Sequence, residues 1–251
     1  MEFPRLLECL EADHARLRDV VAEADLTAKV PTCPEWSLAD LVQHVAAVYL
    51  HKVECMRLGQ QPPEWPPDFS GEEPRALLER GYATLTAEFA ARAPESPAYT
   101  WFDPDQTVGF WIRRMAQETV IHRIDAELGA GGPVAPVPAD LAVDGVDEVL
   151  RTFLEFEVRS WPDYFANDLA AAGGGTSVRV EAGSAAWLVR LAPDGVRVSP
   201  GEPDRADATV RGEPGDVVRW LWNRAGDDVV ERTGDEAALA RLGRVLTTAT
   251  Q

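Results

Sequence analysis

The chain has 251 residues, and 42 Asp and Glu against 24 Lys and Arg leave a formal charge of −18. That balance repels phosphate backbones and anionic lipid surfaces, which excludes nucleic acid and membrane as partners. A composition that is 45% apolar and 26% charged builds a soluble globular protein with room for two modest domains, and no apolar run approaches the roughly 20 residues of a membrane span.

Phe3, Leu6, Leu7, Leu10, Leu17, Val20 and Val21 recur at three- and four-residue spacing, which predicts an amphipathic helix over 3–29. Pro31 and Pro34 stop it, and Ser37-Leu38-Ala39-Asp40 then has the form of a capping box. The second helix runs from there to Leu58, where Gly59 and Pro62, Pro63, Pro66 and Pro67 enforce an irregular segment with Trp65 inside it, a composition that suggests a lid. A third helix is expected over 72–93, ended by Pro94 and Pro97, and a fourth over about 105–128, ended by Gly129, Gly131 and Gly132. Four such helices pack as a bundle of antiparallel type. Past Pro133, Pro136 and Pro138, residues 139–161 make one more helix. Two-residue alternation over 177–181, 186–191, 195–198 and 208–211 predicts a small antiparallel sheet with a turn at Pro193-Asp194-Gly195, and 214–222 and 236–246 read as short helices. The expected architecture is α+β in two domains, a four-helix bundle at 1–132 and an α+β domain at 133–251, with the 139–161 helix bridging them.

Three cysteines, Cys9, Cys33 and Cys55, stand at no metal-like spacing, and the first residues lack the basic start and apolar stretch of a secretory signal. A reducing, cytoplasmic location is the expectation. Only four histidines occur. Glu118 and His122 are four apart, so a carboxylate and an imidazole lie one above the other on the fourth helix. Asp125 follows on the same face. His44 sits beside Leu41, Val45 and Val48 on the inward face of the second helix. A lone histidine on an apolar stripe is more often a hydrogen-bonded core residue than a ligand, and a single Glu-x-x-x-His is commonly a surface pair. Together the three residues make a ligand set inside a bundle, where metal sites are often built. Two His and one carboxylate suit zinc or ferrous iron, and three protein ligands leave one position open. His51, seven residues past His44, is about 10 Å further along the axis and reads as a structural or pocket-rim residue. His14, flanked by Asp13 and Arg16, reads as a solvated surface residue.

Val30-Pro31-Thr32-Cys33-Pro34-Glu35-Trp36-Ser37-Leu38-Ala39-Asp40-Leu41-Val42-Gln43-His44-Val45 resembles the signature of mycothiol-dependent maleylpyruvate isomerase-like proteins, a branch of the DinB-like four-helix bundles. Glu118-Thr119-Val120-Ile121-His122-Arg123-Ile124-Asp125-Ala126-Glu127 is similar to the second metal-binding segment of that family, and 208–216, 221–224 and 234–235 resemble its C-terminal α+β domain. Glu35 departs from the glycine usual in the Cys-Pro-Gly-Trp motif; it precedes the helix and bears on loop shape rather than on the ligands. The resemblance implies a divalent metal, normally Zn2+, held by His44, Glu118 and His122, and mycothiol as thiol cosubstrate. It also implies that Arg224 faces the site and grips a carboxylate of substrate or thiol, where the residues alone suggest a surface arginine after a helix. Asp125 is expected to orient a ligand, or else to pair with Arg123 or cap the helix end.

The resulting expectation is an isomerase or thiol S-transferase, monomeric or homodimeric, that adds a low-molecular-weight thiol to a small electrophile. The alternative is a non-catalytic metal-binding or regulatory DinB-like module, which requires a fourth protein ligand from His51 or Glu54.

Overall fold

Each long helix of the N-terminal half begins at a proline or a capping side chain. Residues 1–170, 174–201 and 205–250 are described by the computed structural model, in two units, Met1–Ala135 and Pro136–Gln251. Helix α1 (Phe3–Glu23) starts on Pro4. At α2 (Leu38–Leu58) the expected capping box is formed, with Ser37 Oγ accepting from the Asp40 amide and Asp40 accepting from the Ser37 amide. Glu73 and Pro74 start α3 (Pro74–Ala90), and Thr107 caps α4 (Val108–Gly129).

Helix α1 ends six residues before its predicted limit of 29. Asp25 accepts from both the amide and the hydroxyl of Thr27, and this local turn competes with helix. The chain then forms a hairpin of β1 (Lys29–Val30) and β2 (Cys33–Ser37) where the two prolines suggested only a break.

The helix directions follow from the side chains that meet. Asp13 pairs with Arg123 and Arg16 with Glu127, so α1 and α4 run the same way. His44 meets Glu118 whereas Lys52 lies over Trp111, so α2 opposes α4. Arg57 pairs with Glu88 while Ala46 touches Gly81, so α2 and α3 are parallel. The order is up, down, down, up, which departs from the simple alternation of the expected bundle and obliges residues 59–73 to return along its length. Gly81 permits the α2–α3 approach, since a Cβ there would lie 3.0 Å from the Ala46 carbonyl oxygen.

The second unit opens with one helical stretch, α5 (Ala139–Glu148), a π-helical turn at Val149–Glu155 and α6 (Phe156–Ser160), followed by α7 (Pro162–Leu169). Strands β3 (Thr176–Ala182), β4 (Ala185–Ala192), β5 (Gly195–Pro200), β6 (Ala208–Gly212) and β7 (Glu231–Gly234) form a sheet in the order β5-β4-β3-β6-β7. Its pairings are antiparallel as expected except that β3 and β6 run parallel. Helices α8 (Pro214–Leu221) and α9 (Glu236–Ala249) complete it. Val178, Val180, Val189, Leu191, Val210, Leu242 and Val245 form its buried core.

His14 is not at the surface. It is 2% exposed and stacks on Tyr82 with ring centroids 3.6 Å apart, and neither ring nitrogen has a hydrogen-bond partner. Its neighbour Asp13 is turned inward to Arg123 at 3.0 Å. Burial, helped by the nearby Arg18 charge, pushes the His14 imidazole down to about 4 from 6.5. The unfolded chain therefore takes up a proton below pH 6.5 that the folded chain refuses until about 4, so this stability is present above pH 6.5 and lost as pH falls towards 4. His14→Phe keeps the stack and removes the titration. Chemical denaturation at pH 7.5 and 4.5 should show the wild type losing about 2–3 kcal/mol more than the variant; equal losses would refute a buried neutral His14.

Candidate metal centre

Helix α4 is the central helix of the bundle, with 18 of its 22 residues buried. Charges on such a helix must find partners, because an unpaired buried charge is costly. Arg123 reaches Asp13, Glu127 and the Ala135 carbonyl oxygen, and Arg114 donates to Glu118 Oε2 at 2.7 Å. The other carboxylate oxygen of Glu118 is turned to two imidazoles, with His122 Nε2 at 3.2 Å and His44 Nε2 at 3.4 Å.

His44, Glu118 and His122 thus converge, as α2 and α4 bring one ligand atom from each within 4.8 Å of the others. Among the described residues they are the single cluster of three or more His, Cys, Asp or Glu placed in this way. The edge of a tetrahedron of ligands at about 2.1 Å from zinc is about 3.4 Å, so the two Glu118–imidazole separations match what a tetrahedral ion needs. The donors fit a divalent ion, with zinc and ferrous iron both compatible.

The surroundings orient these donors. Asp125, fully buried, accepts from His122 Nδ1 at 2.9 Å, which places that proton on Nδ1 and directs Nε2 to Glu118. Thr32, on the turn between β1 and β2, donates to the second oxygen of Asp125 at 2.5 Å. The hairpin thereby reaches the ligand shell through a residue that local sequence patterns do not reveal. Arg123 does not pair with Asp125. Trp36 lies 4.6 Å from the His44 ring.

Burial raises the Glu118 carboxyl, but His122, His44 and Arg114 outweigh it and hold the group well below the carboxylate range. Burial likewise lowers His122, yet Glu118 and Asp125 overcome this and raise it to about 9. Without an ion His122 is an imidazolium, and its Nε2 proton occupies the direction a metal would take.

Three neighbouring residues fill other roles. His51 Nδ1 accepts from Lys52 Nζ at 3.0 Å, and its Nε2 lies 3.9 Å from Cys55 Sγ. Glu54 is 3.9 Å from Arg57. Trp65 lines a cavity of about 560 Å³ between α2 and α3 with Pro62, Pro63 and Phe69, and none of the trio lines it. Arg224 follows α8 in the second unit, where its Nη1 donates to the Trp222 carbonyl oxygen at 2.7 Å.

The model of the mycothiol maleylpyruvate isomerase N-terminal domain matches residues 7–127, and that of the corresponding C-terminal domain matches residues 140–241. No curated protein matches the sequence. The fold is that of a crystal structure of mycothiol-dependent maleylpyruvate isomerase, with a TM-score of 0.63 at 17% identity over 94% of this chain and 95% of that one. A histidine-to-alanine mutant of such an isomerase gives a TM-score of 0.62 at 16% identity over the same shares. No described helix is long and apolar enough to cross a membrane.

The Asp125–His122 contact yields a prediction. Outer partners of metal ligands are worth about ten- to hundredfold in affinity. Asp125→Asn should weaken divalent-metal binding by that factor in a chelator competition titration, and an affinity within twofold of wild type would show that Asp125 does not tune the site.

Proposed function

Because the chain belongs to the mycothiol maleylpyruvate isomerase family, whose N- and C-terminal domain models it matches in turn, we propose that it is a metal-dependent enzyme that activates a low-molecular-weight thiol, mycothiol, for addition to a small electrophile. The outcome is either cis–trans isomerisation or S-transfer. The observation that carries this reading is the trio itself, three ligand atoms within 4.8 Å of one another, with no fourth protein ligand beside them among the described residues.

His44, Glu118 and His122 would hold a divalent ion, zinc by preference, which when bound would supply the Lewis acidity that favours the nucleophilic thiolate form of a thiol near neutral pH. Around it the side chains have separate tasks. Arg114 keeps Glu118 ionised, and Asp125 holds the Nδ1 proton of His122 so that Nε2 offers its lone pair. Trp36 covers one side of His44. The family resemblance gives Arg224, in the second unit, the task of gripping a carboxylate of substrate or thiol in a charge-assisted contact.

The thiolate sulfur adds to the end of a conjugated carbon–carbon double bond, and the displaced electron pair moves to the carbonyl oxygen. The former double bond, now single, rotates. Return of the pair breaks the carbon–sulfur bond, restores the double bond in the trans form and releases the thiolate, with no net proton or electron consumed. If carbon takes up a proton instead, the carbon–sulfur bond stays and the product is a thiol conjugate.

A non-catalytic module needs its fourth ligand from His51 or Glu54. His51 is instead held between Lys52 and Cys55, and Glu54 faces the α2–α3 cavity beside Arg57. Both arrangements favour the enzyme.

Elemental analysis of purified protein should find about one divalent ion per chain. With mycothiol present, the protein should isomerise maleylpyruvate or conjugate a member of a panel of electrophiles, and His44→Ala should lose the ion and at least about a hundredfold of the turnover. A metal-free wild type, or turnover indifferent to both thiol and His44, would overturn the reading.

A further inference from the structure

Resting on the metal-dependent reading above, we propose that Lys52 is the anion-recognition residue of the α2–α4 seam, its ammonium taking the carboxylate at the far end of a ligand whose reactive end lies at His44, Glu118 and His122.

The placement comes from helix geometry. Lys52 is eight residues past His44 on α2, about 12 Å along the axis, and Trp111 is seven residues before Glu118 on α4, about 10 Å. Because the two helices run in opposite directions, these displacements point to the same end of the seam, and there Lys52 Nζ lies 5.1 Å from the centre of the Trp111 ring. The trio and Lys52 thus mark two ends of one strip. Arg114 lies between them on α4, and both Arg114 and Glu118 are near enough to act on the charge of Lys52.

Lys52 is also the cation whose charge is left over. Arg114 is committed to Glu118 at 2.7 Å. The one hydrogen bond of Lys52 goes to His51 Nδ1, an imidazole held neutral because burial and the ammonium itself lower it to about 4. Among the described residues no carboxylate forms an ion pair with Lys52. A half-buried ammonium without a counter-ion is costly to keep, and a docking carboxylate removes that cost.

The ammonium is held ready for it. The Trp111 indole is fixed by its own bond from Nε1 to the Tyr99 carbonyl oxygen at 2.8 Å, and His51, which restrains Nζ from the other side, rests on Trp65 with ring centroids 5.0 Å apart. Preorganised contacts of this kind bind with less loss of freedom. A chain of charge −18 repels anions at long range, so an anionic ligand depends on fixed local cations. Only two lysines occur in the sequence, Lys29 and Lys52, and Lys29 is at the exposed hairpin, where its Nζ donates to the Glu35 carbonyl oxygen.

The test compares adipate, a six-carbon dicarboxylate, with its monoamide adipamate by calorimetric titration of the full chain, with and without added zinc. With zinc added, wild type should prefer the dicarboxylate by on the order of tenfold, the worth of one charge-assisted contact. Lys52→Met should bind both alike, and Lys52→Arg should restore the preference. A preference that survives in Lys52→Met, or is missing from zinc-loaded wild type, overturns the assignment. Zinc content is measured on the same samples, so failure of the metal reading shows as absent zinc; Lys52 is then judged by the monoamide alone, whose single carboxylate falls to it and whose affinity should drop about tenfold in Lys52→Met and return in Lys52→Arg.

Discussion

The bundle turns on the cost of burying charge along α4. A helix covered on nearly every side cannot leave Arg114, Glu118, His122, Arg123, Asp125 or Glu127 to water, so each takes a partner from its own helix or from one packed against it. At the C-terminal end the Asp13–Arg123–Glu127–Arg16 network joins α4 to α1. In the middle, Arg114 and the imidazoles neutralise Glu118. A rotation of α4 by one residue, about 100°, would carry its own i,i+4 pairs along but break its pairs to Asp13, Arg16 and His44 together. The ligand atoms are held in place by partners that the fold needs in any case.

Proton and metal would compete for this arrangement. A proton on His122 Nε2 satisfies Glu118 in the ion-free chain, and on the proposed metal reading a divalent ion would displace it, so that binding would release a proton. Asp125 acts on both sides of that exchange. It favours the imidazolium when no ion is present, and it fixes the ring so that Nε2 remains aimed at Glu118 when the proton has gone.

Much of this architecture was legible in local patterns. Three- and four-residue spacing located the long helices, the Ser37–Asp40 box placed the start of α2 to the residue, and alternation found β3 to β6. His44, Glu118 and His122 could be singled out because polar groups interrupt otherwise apolar stripes. What escaped depends on partners far along the chain. Thr32 meets Asp125 across 93 residues, and the β3–β6 pairing is parallel because of how the chain returns, which no strand records. Strand β7 is short and largely exposed, so it lacks alternation. His14 was misread because its flanking charges suggested solvent, whereas Asp13 is drawn inward by Arg123. Lys52 carries no motif, and its significance comes only from Trp111 and the uncompensated charge.

The parallel run of α2 and α3 has a further effect. Antiparallel neighbours in a bundle can be joined by about two to eight residues, but parallel ones need a connection that travels back along the helices. Residues 59–73 are that return path, with bends and turns along it and no helix or strand of its own. Once such a strap exists, its inner side becomes a wall, with Pro62, Pro63, Trp65 and Phe69 facing Leu50 and Val53. The cavity is thus a by-product of chain direction, and the same four helices threaded in simple alternation would have no strap to enclose it.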